Sequence, residues 1–204
     1  MNKLRFYAAR TLRDDAAIAS LSVPQADLLA ELAGKTVALI GNARSLAETR
    51  HGAAIDAADL VIRINRAPMP SAYSHGTRTD WLALAVRLAD ADLARLAPRR
   101  VLWMSPKRKR LGWRIAHGEG FYLHPLADYH ALKDRLAAPP TTGAMMIDLA
   151  LRSGLASLTL YGFDFFASQS LSGSRTADQV PHDFGAEAAW VADMQRRDGR
   201  LILA

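Results

Sequence analysis

Residues Lys35 to Pro68 read KTVALIGNARSLAETRHGAAIDAADLVIRINRAP. Thr36 to Ile40 is a short apolar run closed by Gly41-Asn42, and Leu60 to Ile64 is a second one ending on Asn65. A continuous apolar run bounded by a glycine turn predicts a strand buried on both faces, as in a parallel sheet. Between the two runs lies a polar, helix-prone segment. In open α/β sheets, ligands bind outside the carboxyl ends of the strands. Asn42 and Asn65 stand at two such ends, so both amides are expected to face one crevice.

Outward from this stretch the same alternation continues. Ser22 to Ala33 predicts a helix with Ser22 as cap, Pro24 in its first turn and Gly34 as its stop. Thr79 to Ala85 and Arg100 to Ser105 predict a third and a fourth strand, with a helix from Ala89 to Leu96 between them. Residues 66–76 and 106–120 read as loops, and Phe121 to Leu123 as a short strand. Leu126 to Ala137 predicts a helix stopped by Pro139-Pro140. Thr141-Thr142-Gly143 opens an apolar helix ending near Ser153-Gly154, followed by a strand at Leu158 to Tyr161. Gly185 to Arg197 predicts a last helix and Leu201 to Leu203 an edge strand. Strands alternating with helices predict an α/β domain: a mostly parallel sheet covered by helices on both faces. The expectation is one domain over 1–204, with 1–34 as lead-in and first helix.

Half of the residues are hydrophobic and there is no cysteine, which excludes a disulfide framework and thiolate chemistry. The formal charge of +6 points to an anionic partner, or else to an arginine-rich solvated surface. No apolar run has the length of a membrane span, and Met1 to Arg13 lacks the apolar centre of a secretory signal. A cytoplasmic location is expected, with peripheral contact of the basic N-terminal segment at a membrane face as an option.

Two turns put backbone N–H groups where a strand meets a helix: Gly41 to Ser45, and Thr141 to Gly143. Either suits an anion, since unpaired N–H groups and the helix dipole both favour negative charge. Capping by Thr141 alone is the competing reading. Neither turn fits a dinucleotide or triphosphate fingerprint. Arg63 and Asn65 lie two apart on a strand and so share a face. A charge in an apolar strand needs a partner, either a bound anion or a carboxylate such as Asp56 or Asp59. His182, with Asp183 beside it and Glu187 one turn on, reads either as a general base whose ring Glu187 orients, or as part of a helix cap. Asp90 and Asp92 sit at a helix start and no cluster has ligand spacing, so no metal is expected. The loop carrying Lys107, Arg108, Lys109 and Arg110, with Trp103 and Trp113 nearby, fits single-stranded nucleic acid, lipid head groups or plain solvent.

Taken in order, these pieces resemble the sialyltransferases of glycosyltransferase family 29. VALIGNARSLAETRHGAAIDAADLVIRINRAP, continued by Gly76 to Thr79, is similar to the family's large motif. PTTGAMMIDLALRSGLASLTLYGFDF is similar to its small motif, and HDFGAE to its last one. The resemblance implies a Rossmann-like variant of the GT-A fold and a metal-independent, inverting transferase. The implied donor is a CMP-activated acidic keto-sugar, sialic acid or a Kdo-like sugar, with no further cofactor. The implied acceptor is a glycan or a lipid-linked saccharide, and no nucleic acid is expected as partner. By that likeness Gly41, Asn42, Ser45, Arg63, Asn65, Thr141, Thr142 and Gly143 hold the donor, and His182, with Glu187, deprotonates the acceptor. Departures are plain. Ala43-Arg44 replaces the family's Ser-Gly, and its cysteines near Val37 and Gly154 are absent. FASQSLSGSRTADQV stands where an aromatic/His motif is usual, so Arg175 or Ser172 is expected to assist phosphate departure. With no N-terminal anchor, the chain looks like a compact bacterial-type member. The alternative is a catalytically inactive CMP- or nucleotide-binding module.

Overall fold

The computed structural model describes residues 1–165, 171 and 181–204. Seven strands make one sheet: β1 (Thr36–Ile40), β2 (Leu60–Ile64), β3 (Trp81–Leu84), β4 (Arg100–Trp103), β5 (Tyr122–Leu123), β6 (Ser157–Tyr161) and β7 (Leu201–Leu203). Their order across the sheet is β5-β4-β3-β2-β1-β6-β7 and every neighbouring pair is parallel. The chain steps from β1 outward to β5, then returns to the other side of β1 for β6. That reversal makes the carboxyl ends of β1 and β6 the switch point at which such sheets open a crevice.

Residues alternate between two cores, as the strand period dictates. On one face Val37, Leu39, Leu60, Ile62, Trp81, Ala83, Leu102, Leu158 and Leu160 pack together. Helices α3 (Gln25–Leu32), α8 (Leu126–Leu136), α9 (Thr142–Leu151) and α10 (Phe184–Arg197) cover them through Leu28, Leu132, Met146 and Trp190. On the other face, α1 (Lys3–Leu12), α2 (Asp15–Ala19), α6 (Asp90–Leu96) and α7 (Trp113–Ala116) cover Leu82, Leu84 and Trp103. There α4 (Gly52–Ala57) and a 3-10 turn at Arg44–Glu48 cover Ala38, Ile40 and Val61. The parallel α/β expectation is met.

Several boundaries move. The third strand starts at Trp81 because Asp80 is occupied elsewhere: its carboxylate accepts from Val61 N and its carbonyl from Arg99 N. Ser22 does not cap α3, whose cap residue Pro24 offers no side-chain acceptor. The Ser22 hydroxyl instead accepts from Leu123 N at 2.9 Å and tethers the lead-in to β5. The loop at 66–76 contains a short helix, α5 (Ala72–His75), capped by Ser71. The basic loop holds a 3-10 turn at Arg108–Arg110 as well as α7.

Candidate active site

A cleft of about 650 Å³ opens over the carboxyl ends of the strands. Gly41 and Asn42 after β1, Asn65 after β2, Ser105 after β4 and Gly162 after β6 all border it. Thr141, Thr142 and Gly143 at the start of α9 and His182 and Glu187 beside or within α10 close the opposite side. Segments far apart in sequence therefore share one cavity. Eight of the expected residues meet there.

Gly41 is fixed by the crossing of β1 and β6. A Cβ at Gly41 would lie 2.2 Å from the Gly162 carbonyl oxygen, far inside contact distance. The N–H groups of Gly41 and Ala43 donate to the carbonyls of Tyr161 and Gly162 at 2.7 and 3.2 Å. Those two donors hold β6 in place and so are not open to an anion. The Ser45 side chain lies outside the cleft lining and donates to Asp164 at 3.0 Å. Asn42 Nδ2 donates to the Ile64 carbonyl at 3.3 Å, tying the end of β1 to the end of β2.

Asn65 adopts a left-handed backbone, φ 54°. Asparagine tolerates that region better than most residues. Its Oδ1 accepts from Ala85 N at 2.9 Å and its Nδ2 reaches Thr142 Oγ1 at 3.4 Å. The turn also breaks the strand's alternation, so Arg63 and Asn65 do not share a face.

Arg63 is 1 % exposed and lies outside the cleft lining. Its Nε donates to the Arg78 carbonyl at 2.8 Å and to Thr79 Oγ1, and its Nη2 to the His75 carbonyl at 2.7 Å. Neither Asp56 nor Asp59 bonds it directly. Burial lowers its pKa to about 10, opposed by the nearby Asp56 charge. Asp56 in turn accepts from the N–H groups of Thr77 and Arg78. Burial works against its charge, but those bonds and Arg63 outweigh it and hold the carboxyl below the usual range. A Cβ at Gly76 would fall 2.5 Å from Asp56 Oδ1. Asp56, Arg63 and Gly76 to Thr79 thus form an internal clasp, which corrects the placing of Arg63 on a donor.

Glu187 is also placed differently from expectation. It is 4 % exposed, and its two carboxylate oxygens accept from Thr141 N at 2.6 Å and Thr141 Oγ1 at 2.8 Å. Thr141 Oγ1 accepts from Ala144 N at 3.1 Å and so caps α9. Burial raises the Glu187 pKa, while its bonds from Thr141 pull the other way. Glu187 orients the threonine, not the imidazole. The ring of His182 is held by Pro139, whose carbonyl lies 2.7 Å from Nδ1. A carbonyl only accepts, so Nδ1 carries a proton, and in the neutral ring the lone pair is on Nε2. Asp183 caps α10 through a bond from Ala186 N at 2.9 Å.

The basic loop divides by role. Arg108 turns inward, donating to Asp15 at 2.6 Å and to the carbonyls of Ser105 and His124 at 2.8 and 2.7 Å. Lys107 and Arg110 line the cleft, joined there by Arg66, which the sequence reading passed over. The only signal for Arg66 was its position next to Asn65. Arg175 and Ser172 lie outside the described residues. Among the described residues no group of three or more His, Asp or Glu is arranged to hold a metal ion. No helix among them is long and apolar enough to cross a membrane.

The doubly wound parallel sheet with its cleft at the switch point defines an open-sheet α/β protein. The resemblance read in the motifs is met more specifically: the model of glycosyltransferase family 29 (sialyltransferase) matches residues 18–91. No curated protein sequence matches the chain. Among solved structures, a mammalian sialyltransferase in complex with Gal-beta-1-3GalNAc-ortho-nitrophenol superposes with a TM-score of 0.60 at 18 % identity, over 88 % of this chain and 78 % of that one. The sialyltransferase CstII from Campylobacter jejuni with the substrate analogue CMP-3FNeuAc gives 0.58 at 13 % identity, over 83 % and 81 %. CST-II with a trisaccharide acceptor and CMP gives 0.55 at 15 % identity, over 82 % and 79 %. These likenesses establish a sialyltransferase-type fold.

Proposed function

We propose that this chain is an inverting, metal-independent glycosyltransferase that moves an acidic keto-sugar from a CMP-sugar to a hydroxyl of a glycan or lipid-linked saccharide. One observation carries the reading most. The His182 ring, locked by the Pro139 carbonyl with Nε2 as acceptor, borders the same cleft as Asn42, Asn65 and the start of α9. A positioned imidazole lone pair is the usual acceptor of a hydroxyl proton in such displacements.

The acceptor oxygen attacks the anomeric carbon while Nε2 takes its proton, and the bond to the CMP phosphate breaks on the opposite side. The transition state is cationic at the sugar and increasingly anionic at the phosphate, so fixed donors at the departing oxygens do most of the stabilising. Thr142 and Gly143 stand in the first turn of α9, where backbone N–H groups have no intrahelical acceptor. Lys107, Arg110 and Arg66 add positive charge elsewhere in the lining of the cleft. Support also comes from the neighbours of this fold, which were captured with CMP, a CMP-sugar analogue and a trisaccharide acceptor.

The test is His182→Ala. Transfer from the CMP-sugar is expected to fall by roughly a hundredfold or more, with affinity for CMP retained. Full activity in that variant removes the histidine from the mechanism.

A further inference from the structure

Helix α1 presents a face that none of the described residues covers. Phe6 and Ala9 bury its inner side, yet Leu4 is 82 % exposed and Leu12 is 79 % exposed. Residues at i, i+4 and i+8 lie along one side of a helix, so Leu4, Ala8 and Leu12 form a single outward stripe. Ala8 is exposed as well, and Met1 just before the helix is 39 % exposed. Leu4 and Leu12 therefore give this ten-residue helix a narrow apolar stripe on its outer side.

Charge identifies the occupant. The helix carries Lys3, Arg5 and Arg10 and no acidic residue, and Arg13 follows at its C-cap. Arg10 is used internally, donating to the Leu111 carbonyl at 2.8 Å. Lys3, Arg5 and Arg13 are exposed and form no ion pair among the described residues. The helix packs on the turn at Arg108–Arg110 and on α7. Lys107, Lys109 and Arg110 are likewise exposed without an ion pair among the described residues. Asp15 is held by Arg108, and Asp14 caps α2.

We propose that α1 and the adjoining turn form a docking surface for an anionic lipid bilayer. Leu4 and Leu12 enter the head-group boundary, while Lys3, Arg5, Arg13 and Lys109 meet lipid phosphates. An apolar stripe flanked by lysine and arginine is the pattern of a helix lying in the interface plane. The cation set is what an anionic leaflet attracts. Because Lys107 and Arg110 also line the cleft, docking brings the cleft wall to the membrane, where a lipid-linked acceptor is within reach.

The test is co-sedimentation of the full chain with vesicles of phosphatidylcholine alone and of phosphatidylcholine with about one-third phosphatidylglycerol. Binding is expected only to the second, weakening as salt rises. Leu4→Ser with Leu12→Ser is expected to weaken it by at least an order of magnitude, and Arg5→Glu with Lys3→Glu to abolish it. All four positions are exposed, so circular dichroism and melting should match the parent. No binding to anionic vesicles overturns the proposal. So does binding that survives the leucine pair, or loss of a concentration-dependent dimer in that variant, which assigns the stripe to a second copy. The readout involves no turnover, so it stands or falls apart from the transferase reading.

Discussion

His182 shows how one hydrogen bond fixes a ring orientation that spacing leaves open. From sequence, the His182-Asp183-Glu187 spacing fits either a ring oriented by Glu187 or a helix cap. In the structure a proline carbonyl orients the imidazole and Glu187 serves Thr141 instead. A backbone carbonyl 43 residues away leaves no trace in the local pattern. Glu187→Ala removes both acceptors of Thr141 and should cost roughly 1–3 kcal/mol. Glu187→Gln, which keeps one acceptor oxygen, should cost less. If the threonine positions the donor, both variants raise the KM for the CMP-sugar more than they lower kcat. Equal melting and kinetics in Glu187→Ala would show that the carboxylate orients nothing.

Arg63 and Asn65 show the same limit from the other side. Their spacing is that of one strand face, but the left-handed turn at Asn65 ends the alternation. That turn swings the amide over the cleft, while Arg63 stays under it in the clasp with Gly76 to Thr79. Strand period is legible in a sequence; a single positive φ at the strand's end is not.

Among the elements, β1 and β6 carry the site. Their apolar runs were plain in the sequence, since strands buried on both faces have few polar interruptions. The pairing of β1 with both β2 and β6 was not plain, because parallel register depends on crossovers rather than local turns. It can be tested at Gly41. Gly41→Ala places a methyl against the Gly162 carbonyl and should destabilise by roughly 2–3 kcal/mol. Gly34→Ala, where a Cβ meets nothing within 4 Å, pays only for its positive φ and should cost about 1 kcal/mol. A milder effect at Gly41 than at Gly34 in urea melts would contradict the close approach of β1 and β6.

The lead-in before α3 carries two helices, α1 and α2. It is anchored by contacts that no local pattern announces. Arg108 bonds Asp15 together with the carbonyls at the ends of β4 and β5, and Ser22 caps the Leu123 N–H. The basic loop looked uniform in sequence for this reason. Folding separates it into one buried anchor, Arg108, and the cleft-lining pair Lys107 and Arg110.

At the scale of the molecule, acid should loosen the fold through histidine. His124 is buried at the end of β5, and burial pushes its pKa down to about 4. His75, beside Arg63, is lowered too, by burial first and by that charge second. The unfolded chain binds a proton at each site near pH 6.5, while the folded chain refuses the one on His124 until about pH 4. Stability from this source is complete above pH 6.5 and is lost as pH falls toward 4. The slope reaches at most about 1.4 kcal/mol per pH unit for each such histidine. Chemical denaturation at pH 7, 6 and 5 should therefore show falling stability, and His124→Leu should flatten the trend. A slope unchanged in that variant would mean that His124 titrates freely.

Distant segments build one cleft, which we propose takes a CMP-linked donor. The most direct measurement is the melting temperature of the purified chain with CMP, set against NAD, ATP, S-adenosylmethionine and a short RNA. A rise with CMP alone, lost in a variant where Thr142→Tyr fills the cleft beside Asn65, is the predicted result. No rise with CMP, or a rise only with RNA, would rule out a CMP site in the cleft.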